Sequence, residues 1–214
     1  RGGSPVQNKV LMDGMTIYSP FHSIGLFSVF DADIIKNTTV YTGGFSAEYG
    51  GRISSIMDLK TKDGNKKRIQ GKLSSNTFGS KLLLEGPFQK GGNTTFLFSG
   101  KTSYLDKTAP SYNELYKTLS PNANYNLDLP YSYTDLYGKI TLNANNGSKA
   151  NIFGFNFQDN VNYQGVSDLK WKSSGIGSEF VLIPPNSSVL IEGNFAFSKY
   201  NISLQEGSSA ERQS

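Results

Sequence analysis

From about residue 67 onward, hydrophobic and polar side chains alternate with a period of two, the signature of strands with two unlike faces. Seven such segments are legible. Ile69, Gly71 and Leu73 oppose Arg68, Gln70 and Lys72. Leu82, Leu84 and Gly86 oppose Lys81 and Glu85, with Leu83 out of pattern. Phe96, Phe98 and Gly100 oppose Thr95, Ser99 and Lys101, with Leu97 out of pattern. Leu136, Gly138, Ile140 and Leu142 alternate with Asp135, Tyr137, Lys139 and Thr141. Phe153, Phe155 and Phe157 alternate with Gly154, Asn156 and Gln158. Ile176, Phe180 and Leu182 oppose Gly175, Gly177 and Glu179; Val189, Ile191, Phe195 and Phe197 oppose Glu192, Asn194 and Ser198.

The connections differ in kind. Residues 87–93, 145–149 and 184–188 are short and turn-rich, as is the reversal at 76–79. Residues 105–132, with Pro110, Pro121 and Pro130, read as a long loop, and 160–170 as one of intermediate length. Short turns at one end, longer loops at the other and strands of ~9–11 residues describe a membrane-spanning β-barrel. A soluble sandwich alternates too, and alternation does not say which way the apolar face points.

Residues 1–66 have another texture. Lys9 to Met12 runs into Asp13-Gly14, a strand entering a tight turn, and Met15 to Tyr18 forms the return strand. Thr38 to Tyr41 and Ile53 to Lys60 read as further strands, with glycine pairs at 43–44 and 50–51 and one possible helical turn near Asp31 or Asp33.

Composition narrows the function classes. The chain has 214 residues, a net charge of +4, 23 Gly and 13% aromatics, which suits all-β structure with many turns. It has no Cys, which excludes thiol catalysis and cysteine metal sites, and one His, His22, which excludes a multi-histidine site. No apolar run reaches the ~18 residues of a spanning helix. The basic cluster Lys60, Lys62, Lys66, Lys67 and Arg68 reads as a solvated linker, and no nucleic-acid partner is expected.

Motifs with chemistry fail on context. Ser99-Gly100-Lys101-Thr102 lacks the first glycine of a phosphate loop and lies in a strand. Asp31-Ala32-Asp33 does not continue as a calcium loop. Glu114, Asp128 and Asp135 read as solvated carboxylates, and His22 as a loop histidine, packed or touching ligand. The five Asn-x-Ser/Thr sites read as chance in an Asn-rich chain. No catalytic residue, metal or cofactor is expected, and the chain is not read as an enzyme.

Six pieces stand in order in residues 1–62: Arg1-Gly2-Gly3, Val10-Leu11-Met12-Asp13-Gly14, Asp33-Ile34-Ile35, Val40-Tyr41-Thr42-Gly43-Gly44-Phe45, Ala47-Glu48-Tyr49-Gly50-Gly51-Arg52, and Ser54 to Lys62. In this order and spacing they resemble the C-terminal half of the plug of TonB-dependent outer-membrane receptors, most strongly the Bacteroidota branch. The resemblance implies the C-terminal part of a plug over 1–66 and the first seven or so strands of a large transmembrane β-barrel over 67–214. It implies a fragment of a longer chain in the bacterial outer membrane, because seven strands do not close a barrel.

The resemblance further implies binding of a nutrient at the cell surface and its import. The implied partners are a TonB-type energy-coupling protein, engaged through a segment not in this sequence, outer-membrane lipid, and a surface lipoprotein or larger complex. Ligand contacts are expected at the plug apex (Tyr18, Ser19, Pro20, Phe21, His22) and in the aromatic loop (Tyr112, Tyr116, Tyr125, Tyr131). Plug–barrel contacts are expected from Arg1, Arg52, Lys101, Lys139, Glu179 and Glu192. A docking subunit of a membrane complex and a soluble extracellular β module are the alternatives.

Overall fold

The computed structural model describes residues 7–22, 25, 27–120, 131–163 and 167–206. Six strands precede residue 66: β1 (Asn8–Met12), β2 (Met15–Thr16), β3 (Phe21–His22), β4 (Phe27–Ser28), β5 (Ile35–Tyr41) and β6 (Ser55–Thr61). Four make a sheet in the order β2-β1-β6-β5, with β1 and β6 parallel, while β3 and β4 pair by themselves. The β1–β2 reversal is the predicted Asp-Gly turn. Asp13 and Gly14 both have positive φ, 49° and 84°, as a two-residue hairpin turn of matching twist requires.

The seven alternating segments form one antiparallel meander: β7 (Gln70–Ser75), β8 (Gly79–Pro87), β9 (Thr94–Ser103), β10 (Tyr131–Asn143), β11 (Lys149–Tyr163), β12 (Ser167–Leu182) and β13 (Ile191–Glu206). The strands lengthen along the chain to 16 residues in β12 and β13.

Two loop expectations change. Residues 105–119, read as irregular because of Pro110 and the tyrosines, form helix α1 (Leu105–Leu119). Leu105, Ala109, Tyr112, Tyr116 and Leu119 recur at alternating spacings of four and three, a helical stripe whose first two members are buried. Thr108 ties the helix to the β7–β8 reversal by donating to the Thr77 carbonyl (3.3 Å). Residues 160–170 are mostly strand, leaving only 164–166 between β11 and β12. The inward alternation of β11 simply continues through Asp159 and Val161.

Exposure shows which way the faces point. Leu82, Leu84, Phe98, Leu136, Ile140, Leu142 and Ile176 on the apolar faces are exposed. Their polar counterparts Glu85, Thr95, Ser99, Asp135, Lys139 and Thr141 are buried against the first 66 residues. The sheet is thus inverted relative to a soluble protein: its bare face is apolar and its covered face polar. Leu83 and Leu97, out of pattern in the sequence, point inward and join the core with Met12, Met15, Ile17 and Ile34.

Strand β11 departs from its neighbours. Its phenylalanines point inward, with Phe153, Phe155 and Phe157 each at most 5% exposed. Space for them comes from β12, where Phe153 faces Gly177 and Phe155 faces Gly175 across the ladder. A Cβ at Gly175 would lie 2.4 Å from the Phe155 ring and 3.0 Å from the Phe197 carbonyl. Gly175→Ala is therefore expected to displace the Phe155 ring and cost about 1–3 kcal/mol, as overpacking does. A fall in the thermal unfolding midpoint checks this, and an unchanged midpoint counts against the packing described.

Candidate functional site

The chemistry of this chain is concentrated where the small N-terminal sheet meets the polar face of the large one. Three polar clusters lie along that contact.

The first surrounds His22. Strand β3 delivers the ring, fully buried, between Tyr133 (centroids 4.3 Å, interplanar angle 4°) and Trp171 (5.1 Å, 7°). Its Nε2 lies 2.8 Å from both Asp135 carboxylate oxygens, and its Nδ1 is 3.6 Å from Asp159 Oδ2. Lys101 Nζ is 3.1 Å from Asp135 Oδ2 and donates to the Ser28 carbonyl at 2.5 Å. With His22 protonated, two cations face two carboxylates. Burial opposes that charge, but the hydrogen bonds and charges of Asp135 and Asp159 outweigh it and raise the His22 pKa above its ordinary 6.5. Both ring nitrogens face carboxylates, so the residue is built as the centre of an ion pair.

The second cluster joins Asp31 and Asp33 to β7–β9. Lys81 binds both carboxylates, at 2.9 Å from Asp31, and Lys72 binds Asp33 at 2.9 Å. Ser99 donates to Asp31 (2.8 Å). Hydrogen bonds from Lys81 and Lys72 hold the Asp33 pKa down at about 2, from 3.8. A depressed carboxylate stabilises above its unfolded pKa and loses that contribution as pH falls through its folded one. This contact is therefore expected to persist at pH 4 and to weaken as pH falls through about 2, which hydrogen exchange of residues 31–35 would follow. Weakening already at about pH 6 would refute it.

The third cluster centres on Asp13, fully buried in its turn. Its carboxylate accepts hydrogen bonds from Thr61 N (3.0 Å), Thr61 Oγ1 (2.7 Å) and Tyr137 Oη (2.6 Å). Lys139 Nζ is 3.8 Å away and donates to the Thr61 carbonyl at 3.2 Å. Asp63 bonds Lys149 at 2.7 Å. Burial would raise the Asp63 pKa, but Lys149, then Lys139 and Lys36, leave it lowered overall. Next to it, Gly64 passes β9 so closely that a Cβ would lie 2.1 Å from the Phe96 carbonyl.

The residues singled out in the sequence are distributed as follows. Lys101 and Lys139 lie in the contact, Glu179 faces Lys60 at 3.6 Å, and Glu192 lines a cavity beside Asn194 and Gly14. Arg52 is exposed and donates to its neighbour Gly51. Arg1 and Tyr125 lie outside the described residues. Tyr18 is half exposed and stacks on Tyr200 at 5.7 Å; Phe21 is exposed, and Ser19 donates to the Phe21 carbonyl beside Pro20. Tyr112 and Tyr116 sit one turn apart on α1, and Tyr131 begins β10.

His22, read as packed or touching ligand and grouped with the apex, is fully buried against β10–β12, where two carboxylates and two aromatic rings enclose it. One reading is corrected. Asp135, read as solvated, is 4% exposed because its strand turns the polar face inward. The basic cluster near residue 66 is divided: Lys60 and Lys62 pair with Glu179 and Glu85, Lys66 bonds Asn143, and Lys67 and Arg68 are exposed. Sequence reasoning missed Asp13, Asp31, Asp63, Asp159, Tyr133, Tyr137 and Trp171 as contact residues. The one available signal was parity: Asp135, Tyr137 and Lys139 share a face, as do Phe157 and Asp159.

A polar sheet face pinned to a small inner domain is the arrangement inside a plugged barrel. Residues 1–55 match the family model of the TonB-dependent Receptor Plug Domain. The plug match covers about a quarter of the chain, and the rest is compared through structure. The siderophore receptor PirA from Acinetobacter baumannii superposes with a TM-score of 0.52 at 14% identity, over 94% of this chain and 38% of that one. A mutant of the ferric enterobactin receptor PfeA from Pseudomonas aeruginosa, in complex with enterobactin, gives 0.51 at 12% identity, over 94% and 39%. The chain therefore spans about two-fifths of the length of these receptors. No curated protein matches it in sequence. The plug match holds for residues 1–55, and the superpositions show that the chain shares the fold of part of these plugged barrels.

Proposed function

We propose that this chain is part of an outer-membrane receptor that binds a nutrient at the cell surface and imports it through a plugged barrel, driven by a TonB-type coupling protein. The observation that carries the reading is the inverted sheet. An exposed row of Leu, Ile and Phe suits lipid, and a buried row of Asp, Lys, Thr and Tyr suits a plugged lumen. A soluble module would bury the first row and hydrate the second. Residues 1–66 are the C-terminal part of the plug and 67–214 the first wall strands, and the order of plug motifs supports the Bacteroidota branch.

The ligand side, in this reading, is the end bearing Tyr18, Phe21 and α1. Exposed aromatic faces there suit stacking on a flat or ring-shaped nutrient. Deletion of the gene tests the function. The mutant is expected to lose uptake of one nutrient among iron chelates, cobalamin, glycans and peptides, and an uncoupler is expected to abolish that uptake in the parent. A membrane-located protein whose loss affects no uptake would overturn transport in favour of a docking subunit.

A further inference from the structure

The apolar face of the large sheet is not evenly covered. Strand glycines cost stability unless something approaches the backbone closely. Gly138 and Gly154 face each other across β10–β11, and Gly100 lies diagonally beside them on β9. A Cβ on Gly138 would meet nothing within 4 Å, so nothing in the fold requires glycine there. Gly138 and Gly154 floor a furrow of about 710 Å³ on the bare face, walled by Phe96, Phe98, Leu136, Ile140, Ile152 and Ile176.

The furrow ends in polar chemistry toward the end of the sheet that bears α1. Asn156 lies in its wall and accepts a hydrogen bond from Gln158 (2.8 Å). Gln158 in turn lines a second cavity of about 590 Å³ with Lys107, Lys170 and Lys172. Lys172 pairs with Asn201, and Lys199 with Ser174, so both lysines stand on the same outward rows of β12–β13, and both are exposed. By strand rise Lys172 is ~13 Å beyond Ile176 and ~7 Å beyond the level of Asn156, which faces Ser174 at the end of the furrow. Asp106 on α1 lines the same cavity as Lys172, Asp168 shares the outward row of Lys170 and Lys172, and Asp159 turns inward to His22.

We infer that the furrow and the lysines above it form a binding site for one phosphate-bearing membrane lipid. An acyl chain fills the groove over Gly138 and Gly154, and the acidic headgroup rests on Lys172 and Lys199. The lysines select an anionic amphiphile, and the apolar lining of the furrow selects its chain. The inference rests on the membrane reading of the previous section.

The test is native mass spectrometry of the intact protein, extracted in detergent and offered phosphatidylglycerol or phosphatidylcholine. Phosphatidylglycerol is expected to be retained preferentially. Lys172→Gln and Lys199→Gln should each reduce that preference by about fivefold, the worth of roughly one surface lysine near an anionic lipid. Gly138→Leu, which fills open space, should lower retention of both lipids. Equal retention of the two lipids, indifference to these variants, or a second protein copy in place of lipid overturns the inference. If the protein stays in solution without detergent, the membrane reading and this inference fall together; a detergent-extracted barrel with no lipid preference overturns the inference alone.

Discussion

His22→Ala should loosen the plug from the wall more than any other single change at its apex. The substitution leaves Asp135 and Asp159 facing one buried space with Lys101 as the remaining cation. Leaving a buried charge without its partner costs about 3–5 kcal/mol, and Lys101 keeps the loss toward the lower figure. His22→Phe separates charge from stacking, because it preserves the sandwich between Tyr133 and Trp171 and removes only the ion pair. Hydrogen exchange of residues 20–30 should accelerate in both variants, more in the alanine one.

The pH dependence has a definite sign. His22 carries a raised pKa in the folded protein, so its contribution is complete below 6.5 and disappears as pH rises through the higher folded value. Plug protection in the parent should therefore decline on the alkaline side, and His22→Phe should lack that step. A parent protein whose protection is flat across this range would show that the imidazole is seated neutral.

Asp13→Ala should be as damaging at the other end of the contact. It strips three hydrogen bonds from Thr61 and Tyr137 and removes the carboxylate 3.8 Å from Lys139. A buried donor left unsatisfied costs about 1–3 kcal/mol, so a total of about 3–5 kcal/mol is expected. Alanine also suits a φ of 49° poorly, and Asp13→Gly removes that part of the penalty. If the glycine variant remains nearly as unstable as the alanine one in thermal unfolding, the carboxylate is responsible. Full recovery by glycine would assign the effect to the backbone and refute the polar-cluster account.

Much of this architecture is written locally. Alternation specified seven strands, because a side-chain period of two is a property of the extended backbone itself. Asp13-Gly14 specified its turn, because few dipeptides accept two positive φ angles in succession. Helix α1 was legible in principle through its spacing of four and three, but Pro110 argued against it, and only its seat on the β7–β8 reversal decided the matter.

What tertiary structure alone decided is direction and partnership. Nothing in the segment Phe153 to Asp159 says that its phenylalanines turn inward while Ile140 and Ile176 turn outward; that depends on glycines of the next strand and on the plug beneath. His22 and Asp135 are 113 residues apart in sequence, and Asp13 and Tyr137 are 124 apart. Their meeting depends on how one sheet docks on another. A local pattern fixes which residues share a face, because neighbours along a strand are bonded to one backbone. It does not fix what that face meets, because that is set by burial summed over the whole chain.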